Sequence, residues 1–160
     1  MKARLEEEVG GLLTKLGLTI AIAESSTGGL TSHLITNVPG SSSYYKGTVV
    51  AYDNEVKIKI LGVKKETIQE YKSVSPQTAE EMAEGVRRAM DTDIGLSETG
   101  IAGPTRGSSG KGMGLFYIAL SSRHGNRVEE HTFQGDRLEN KQSAAEAALN
   151  MLKEYLLQLE

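Results

Sequence analysis

Four short stretches of this 160-residue sequence hold residue types that can do chemistry. Glu24-Ser25-Ser26-Thr27-Gly28-Gly29 sets hydroxyls beside glycines, and Tyr52 and Lys57 put a phenol and an amine five positions apart. Thr99-Gly100-Ile101-Ala102-Gly103-Pro104 opens a Gly/Ser-rich stretch that runs to Gly114, and Gln134-Gly135-Asp136-Arg137 ends on a guanidinium. A serine where a strand turns into a helix can present its hydroxyl beside free N–H groups that favour an anion or a developing oxyanion. Glycines there let a ligand reach the main chain. A lysine can serve as a base when burial brings its pKa toward neutrality. The glycine-rich stretch resembles a backbone nest for phosphate or carboxylate.

Taken singly, each stretch has a plainer and commoner reading. The serine turn reads as a helix cap, Tyr52 as core, Lys57 as a solvated helix lysine and the glycine-rich stretch as a flexible loop. Several alternatives fail outright. A P-loop ending at Gly110-Lys111 would need glycine at Thr105 and a hydroxyl residue at Gly112. Gly110 to Gly114 precedes a strand, where a dinucleotide fingerprint would follow one. Ser43-Tyr44-Tyr45-Lys46 fits S-x-x-K without the companion motifs. His33, His124 and His131 lie apart, so no metal site and no cofactor is expected.

The elements around these stretches read as α/β. Leu5, Val9, Leu12, Leu13 and Leu16 keep helical spacing up to Gly17, and Leu18 to Ala23 reads as a buried strand. Leu30, Leu34 and Val38 mark a helix that stops at Pro39-Gly40. Residues 46–52 form the second predicted strand, and Asp53 caps a short helix. Lys64 to Lys72 is a surface turn or short helix, and Ser75-Pro76 starts a helix with an apolar stripe through Met90. Strands follow at 93–97, 113–122 and 127–133, the last two joined as a hairpin through Arg123 to Asn126, before a closing helix. The expected fold is a single three-layer α/β/α domain over 1–160, with a mixed, mostly parallel sheet of about five strands ending in an antiparallel hairpin. In such a sheet, sites form outside the carboxyl ends of the strands, where these stretches lie.

Composition narrows the function classes. The 18 Lys and Arg against 21 Asp and Glu, without a basic tract, argue against direct nucleic-acid binding. Two phenylalanines, six tyrosines and no tryptophan leave few stacking platforms for single strands. The absence of cysteine excludes thiolate metal sites and cysteine nucleophiles. No segment has the roughly 20 apolar residues that span a membrane. Glu6-Glu7-Glu8 stands where a signal peptide would be apolar, so a cytoplasmic location is expected.

Together the motifs resemble one family. Ala23-Glu24-Ser25-Ser26-Thr27-Gly28-Gly29 is similar to its A-E-S-C-T-G-G signature, with Ser26 in place of cysteine. Pro39-Gly40-Ser41-Ser42, Tyr52-x-Asn54-Glu55-x-Lys57, Val74-Ser75, Thr99 to Pro104 and Gly135-Asp136-Arg137 follow in family order. The family is the C-terminal domain of the competence/damage-inducible protein CinA, which includes stand-alone nicotinamide-nucleotide amidohydrolases of the PncC type. The resemblance implies metal-free hydrolysis of the carboxamide of nicotinamide mononucleotide to nicotinate mononucleotide and ammonia, in pyridine nucleotide salvage. It implies Ser25 as nucleophile, Lys57 as general base and Tyr52 beside them. Thr27, Gly28, Gly29, Ser42, Thr99, Gly100, Gly103 and Arg137 would bind the nucleotide, with Arg137 on its phosphate. It further implies a homo-oligomer, in dimer form, and a stand-alone chain with no room for a preceding nucleotide-pyrophosphatase domain.

The sequence departs from the family pattern in one region. Arg106 replaces a glycine, Gly112 a proline and Leu115 a threonine, while Glu98 sets a carboxylate beside Thr99. Two other functions are therefore weighed: an amidase for a different carboxamide, and a non-catalytic nucleotide-binding or interaction module. The complete Ser25, Tyr52 and Lys57 set favours catalysis.

Overall fold

A computed structural model describes residues 1–107 and 110–160. Residues 108 and 109 of the expected Gly/Ser-rich nest lie outside the described residues. The chain forms α1 (Leu5–Leu16), β1 (Ile20–Glu24), α2 (Leu30–Thr36), a 3-10 turn (Ser41–Ser43), β2 (Tyr45–Val50), α3 (Asn54–Leu61) and α4 (Lys65–Tyr71). It continues with α5 (Pro76–Met90), β3 (Ile94–Gly100), β4 (Leu115–Ser122), β5 (Gly125–Thr132) and α6 (Arg137–Gln158).

The five strands make one mixed sheet in the order β2-β1-β3-β4-β5. β1 pairs parallel with β2 and β3, while β4 pairs antiparallel with β3 and β5, so β4 alone runs against the other strands. This is the expected mixed, mostly parallel sheet with a terminal hairpin.

Alternation along β1 and β3 sets the layers. Ile20, Ile22, Ile94 and Leu96 pack into one core with Val9, Leu13, Leu149 and Leu152 of α1 and α6. Ala21 and Ala23 face the other side, with Met82 and Val86 of α5. Small residues on that side let α5 come close. A β-carbon at Gly95 would lie 2.1 Å from the Ala83 carbonyl oxygen, and Ser97 Oγ donates to Ala79 O at 2.5 Å. Burying these side chains on both faces supplies the main stabilisation.

The same alternation places the ends of the strands. Glu24 continues the parity of Ile20 and Ile22, and Glu98 that of Ile94 and Leu96. Two carboxyl groups thus stand on one face at the carboxyl ends of neighbouring parallel strands. Here the sequence-based bounds need correction. β3 runs to Gly100, so Glu98 and Thr99 belong to the strand and not to the following loop. β1 starts at Ile20, because Gly17 (φ 66°) and Leu18 close α1. Tyr52 lies beyond β2, in the turn before α3. The Lys64–Lys72 segment resolves into α4.

Candidate active site

Ser25 follows the last residue of β1, and Lys57 lies in the first half of α3, which Asp53 caps by accepting from Glu55 N at 2.8 Å. The lysine points back beneath the end of β2 and is 1% exposed. Its Nζ donates to Ala51 O at 2.7 Å, to Tyr52 O at 3.2 Å and to Ser25 Oγ at 3.0 Å. Burial lowers its pKa to about 8, against the pull that Glu98, when ionised, and Asp53 exert. Two backbone carbonyls thus hold two amine hydrogens. In the neutral amine the third position is a lone pair aimed at the Ser25 hydroxyl, the geometry of a serine and its base. The alternative of a solvated Lys57 is excluded, and so is a core Tyr52, whose side chain lies at the surface.

Most N–H groups of the serine turn are spoken for. Glu98 Oε1 accepts from Ser25 N at 2.5 Å and Thr27 N at 2.9 Å. Glu24 Oε1 accepts from Gly29 N at 3.2 Å and Thr31 N at 3.0 Å, and Glu24 Oε2 from Ser32 N at 3.1 Å. The expectation of free N–H groups at the helix start is therefore corrected: buried carboxyls from β1 and β3 occupy them. Among the described residues, Ser26 N–H in this turn has no partner, and Ser26 lines the cleft.

A cleft of about 180 Å³ opens in front of Ser25 and Lys57. Tyr52, Thr99, Gly100, Gly103 and Arg137 line it. Gly100 cannot be larger, since a β-carbon would lie 2.2 Å from the Phe116 ring on β4. Arg137 Nη1 donates to Gly103 O at 2.7 Å and Nη2 to the Tyr52 hydroxyl at 3.1 Å, so the guanidinium ties the two rims together.

Other expected ligands lie elsewhere. Thr27 is buried, and its hydroxyl contacts Glu24 and Glu98. Gly28 and Gly29 do not line the cleft; β-carbons there would approach Lys141 Nζ and Val50. Ser42 sits in the 3-10 turn before β2, at the opposite end of the sheet from Ser25. The length of β2 separates them, about 20 Å at the usual rise per residue.

The cleft also gains residues that the sequence reading did not assign. Ser26 Oγ donates to Gly100 O, closing the turn onto β3. Ser73 lines the cleft, and its carbonyl accepts from Thr99 Oγ1 at 2.7 Å. Lys72 before it has φ 74° and ψ 172°, a conformation that side chains strongly disfavour. The hydroxyls of Ser75 and Thr78 hold the Lys72 carbonyl at 3.0 and 2.8 Å. In this segment the sequence reading gave the Ser75–Pro76 helix start and the Val74-Ser75 motif, not Ser73 or the Lys72 backbone.

Among the described residues no group of three or more His, Cys, Asp or Glu is placed to hold a metal ion. No described helix is long and apolar enough to cross a membrane.

Comparison with known proteins gives a consistent result. The family model described as the CinA C-terminal domain matches residues 2–156. A putative competence-damage inducible protein of Halothermothrix orenii is 51% identical over 153 residues, covering 95% of this chain and 37% of its own length. A CinA-like protein of Dictyoglomus thermophilum is 51% identical over 155 residues, covering 97% of this chain and 38% of its own. The chain thus spans little more than a third of the length of these relatives. Among solved structures, a competence or damage-inducible protein of Enterobacter asburiae superposes with a TM-score of 0.92 at 32% identity, over 95% of this chain and 96% of that one. The competence/damage inducible protein CihA of Agrobacterium tumefaciens gives 0.84 at 35% identity, over 95% and 96%.

Proposed function

The chain belongs to the family of CinA C-terminal domains, and from that premise we propose that it hydrolyses the carboxamide of nicotinamide mononucleotide by a serine–lysine mechanism. The observation that carries the reading is the contact between Lys57 Nζ and Ser25 Oγ, in a buried site where two carbonyls orient the amine. The substrate itself comes from the family resemblance.

In the proposed reaction, neutral Lys57 takes the Ser25 proton as Oγ attacks the amide carbon. The Ser26 N–H is the candidate donor to the resulting oxyanion. Lysine then passes its proton to the departing nitrogen, and the C–N bond breaks to release ammonia and leave an ester on Ser25. Water, deprotonated by the same lysine, cleaves the ester to nicotinate mononucleotide and restores the serine. Arg137 at the cleft rim is the proposed phosphate partner, since its fork keeps further N–H groups beyond the two already used. The same reading includes a homodimer, which sedimentation at assay concentration checks.

The test is ammonia release from nicotinamide mononucleotide by wild type, Ser25→Ala and Lys57→Ala. Expected is turnover by wild type that falls on the order of 10⁴-fold or more in Ser25→Ala, with nucleotide affinity kept. Full activity in Ser25→Ala would remove the serine from its role. A silent wild type whose melting temperature still responds to the nucleotide would indicate a binding module instead.

A further inference from the structure

Glu24 and Glu98 are 0% and 1% exposed, flank the serine turn, and take no part in the reaction written above. Thr27 Oγ1 lies 2.6 Å from Glu24 Oε1 and 2.7 Å from Glu98 Oε1. A threonine hydroxyl has one proton to give. Two ionised carboxylates would leave one of these contacts as bare oxygen against oxygen. The cluster is consistent when one carboxyl carries a proton of its own, as expected of like charges forced together.

The donors around each group say which. Glu24 also accepts from Gly29 N, Thr31 N, Ser32 N and Ser32 Oγ, so both its oxygens are well supplied. Glu98 takes Ser25 N and Thr27 N on Oε1 alone. Its Oε2 is buried and meets no partner among the described residues. An ionised oxygen without water or donor is the costliest arrangement a carboxylate can have. Burial first, and the charge of Glu24 besides, push the Glu98 carboxyl up, against the pull of Thr27 and Ser25.

We propose that Glu98 is held as the uncharged acid and is the positioning residue of the serine turn: it fixes the Ser25 and Thr27 N–H groups while giving Lys57 no counter-ion. An ionised carboxylate in this place would anchor the turn equally well, but it would also draw Lys57 toward the ammonium and weaken the base. The other charged groups around Lys57 divide. Asp53 at the start of α3 favours the ammonium. Arg137 of α6 lines the same cleft, while Lys141 Nζ of the same helix lies beside Gly28, outside the cleft lining. Lys111, from the β3–β4 loop, is anchored on the Tyr71 and Val74 carbonyls beside Ser73.

The catalytic consequence rests on the serine–lysine reading, but the proton on Glu98 is observable without turnover. Infrared difference spectra of the unliganded protein, wild type minus Glu98→Gln at pH 7, read the carboxylic C=O stretch. Carbon NMR of lysine labelled at its ε-carbon reads the Lys57 titration in both proteins. Expected are a protonated-carboxyl band that the glutamine variant lacks, and one shared Lys57 midpoint. Absence of the band, or a Lys57 midpoint about one unit lower in Glu98→Gln, would overturn the proposal. With nicotinamide mononucleotide, Glu98→Gln keeps turnover within about twofold. Glu98→Ala orphans both N–H groups and lowers kcat roughly tenfold or more, with KM little changed. Should no variant turn over this substrate, the amidohydrolase reading fails and the spectroscopic arms still decide on Glu98. Should Glu98→Ala not fold, the glutamine comparison decides alone.

Discussion

Lys57 Nζ meets Ser25 Oγ at 3.0 Å, although 32 positions separate them and each comes from a different edge of the cleft. Their meeting follows from the parallel pairing of β1 and β2, which delivers both strand ends to one side of the sheet. The turn after β2 then needs only the first half of α3 to bring the lysine back beneath Ala51 and Tyr52. The pair is therefore a property of sheet topology, and its chemistry depends on the charge state that burial allows.

That charge state predicts the pH dependence of turnover. Burial lowers the Lys57 pKa to about 8, and in the proposed mechanism the active form is the neutral amine. kcat/KM should therefore rise with pH and level off above this value. A pH–rate profile with nicotinamide mononucleotide checks it. A profile flat from pH 6 to 9 would contradict lysine as the base. Lys57→Arg should not restore activity, because a guanidinium stays charged throughout.

Stability should carry the same signature. The folded pKa of Lys57 lies below its ordinary value of 10.5, so between about 8 and 10.5 the unfolded chain holds a proton that the folded chain has released. Stability then rises with pH over that window, and the gain is lost as pH falls through 8. The whole window is worth up to about 3 kcal/mol at 1.36 kcal/mol per unit. Urea unfolding of wild type and Lys57→Met at pH 7 and pH 10 measures it. Wild type should gain on the methionine variant as pH rises, and parallel curves would contradict the assigned burial effect.

Much of this site was legible in the sequence, and the illegible part has a physical cause. The alternation Ile20-Ala21-Ile22-Ala23 marks a strand buried on two faces, and Ser75-Pro76 marks a helix start. Such local patterns delivered the layers and the loops that form the cleft. The partners of the Ser25 and Thr27 N–H groups were not legible, because they come from Glu98, more than 70 positions away. Only its parity with Ile94 and Leu96, seen once β3 extends to Gly100, turns it toward the serine turn. Ser42 shows the converse. It precedes β2, and element order alone puts it at the amino end of a parallel strand, away from Ser25. The family resemblance had placed it with the ligands.

The backbone at Lys72 predicts a stabilising substitution. Its φ of 74° with ψ of 172° is a region that glycine enters freely and lysine does not. Lys72→Gly should raise stability by about 1 kcal/mol, the relief of strain less the greater freedom of the unfolded glycine. The hydroxyl contacts from Ser75 and Thr78 to the Lys72 carbonyl are unaffected by the change. Chemical denaturation of the two proteins reads the difference, and a loss of stability would show that the surrounding contacts favour the lysine.

As the proposed phosphate partner, Arg137 predicts a difference between two candidate substrates that share one amide. Its guanidinium already bonds Gly103 O and the Tyr52 hydroxyl, so it is fixed at the cleft rim before any ligand enters. A charge-assisted contact from a preset fork to a phosphate contributes about 1.5–3 kcal/mol. Arg137→Ala should therefore raise KM for nicotinamide mononucleotide by roughly 10- to 100-fold. It should change KM far less for nicotinamide riboside, which lacks the phosphate. Loss of the two rim contacts affects both substrates alike, so the ratio of the two effects isolates the phosphate contribution. An equal loss on both would assign Arg137 to holding the Gly103 and Tyr52 rims together, and the phosphate would then need another partner.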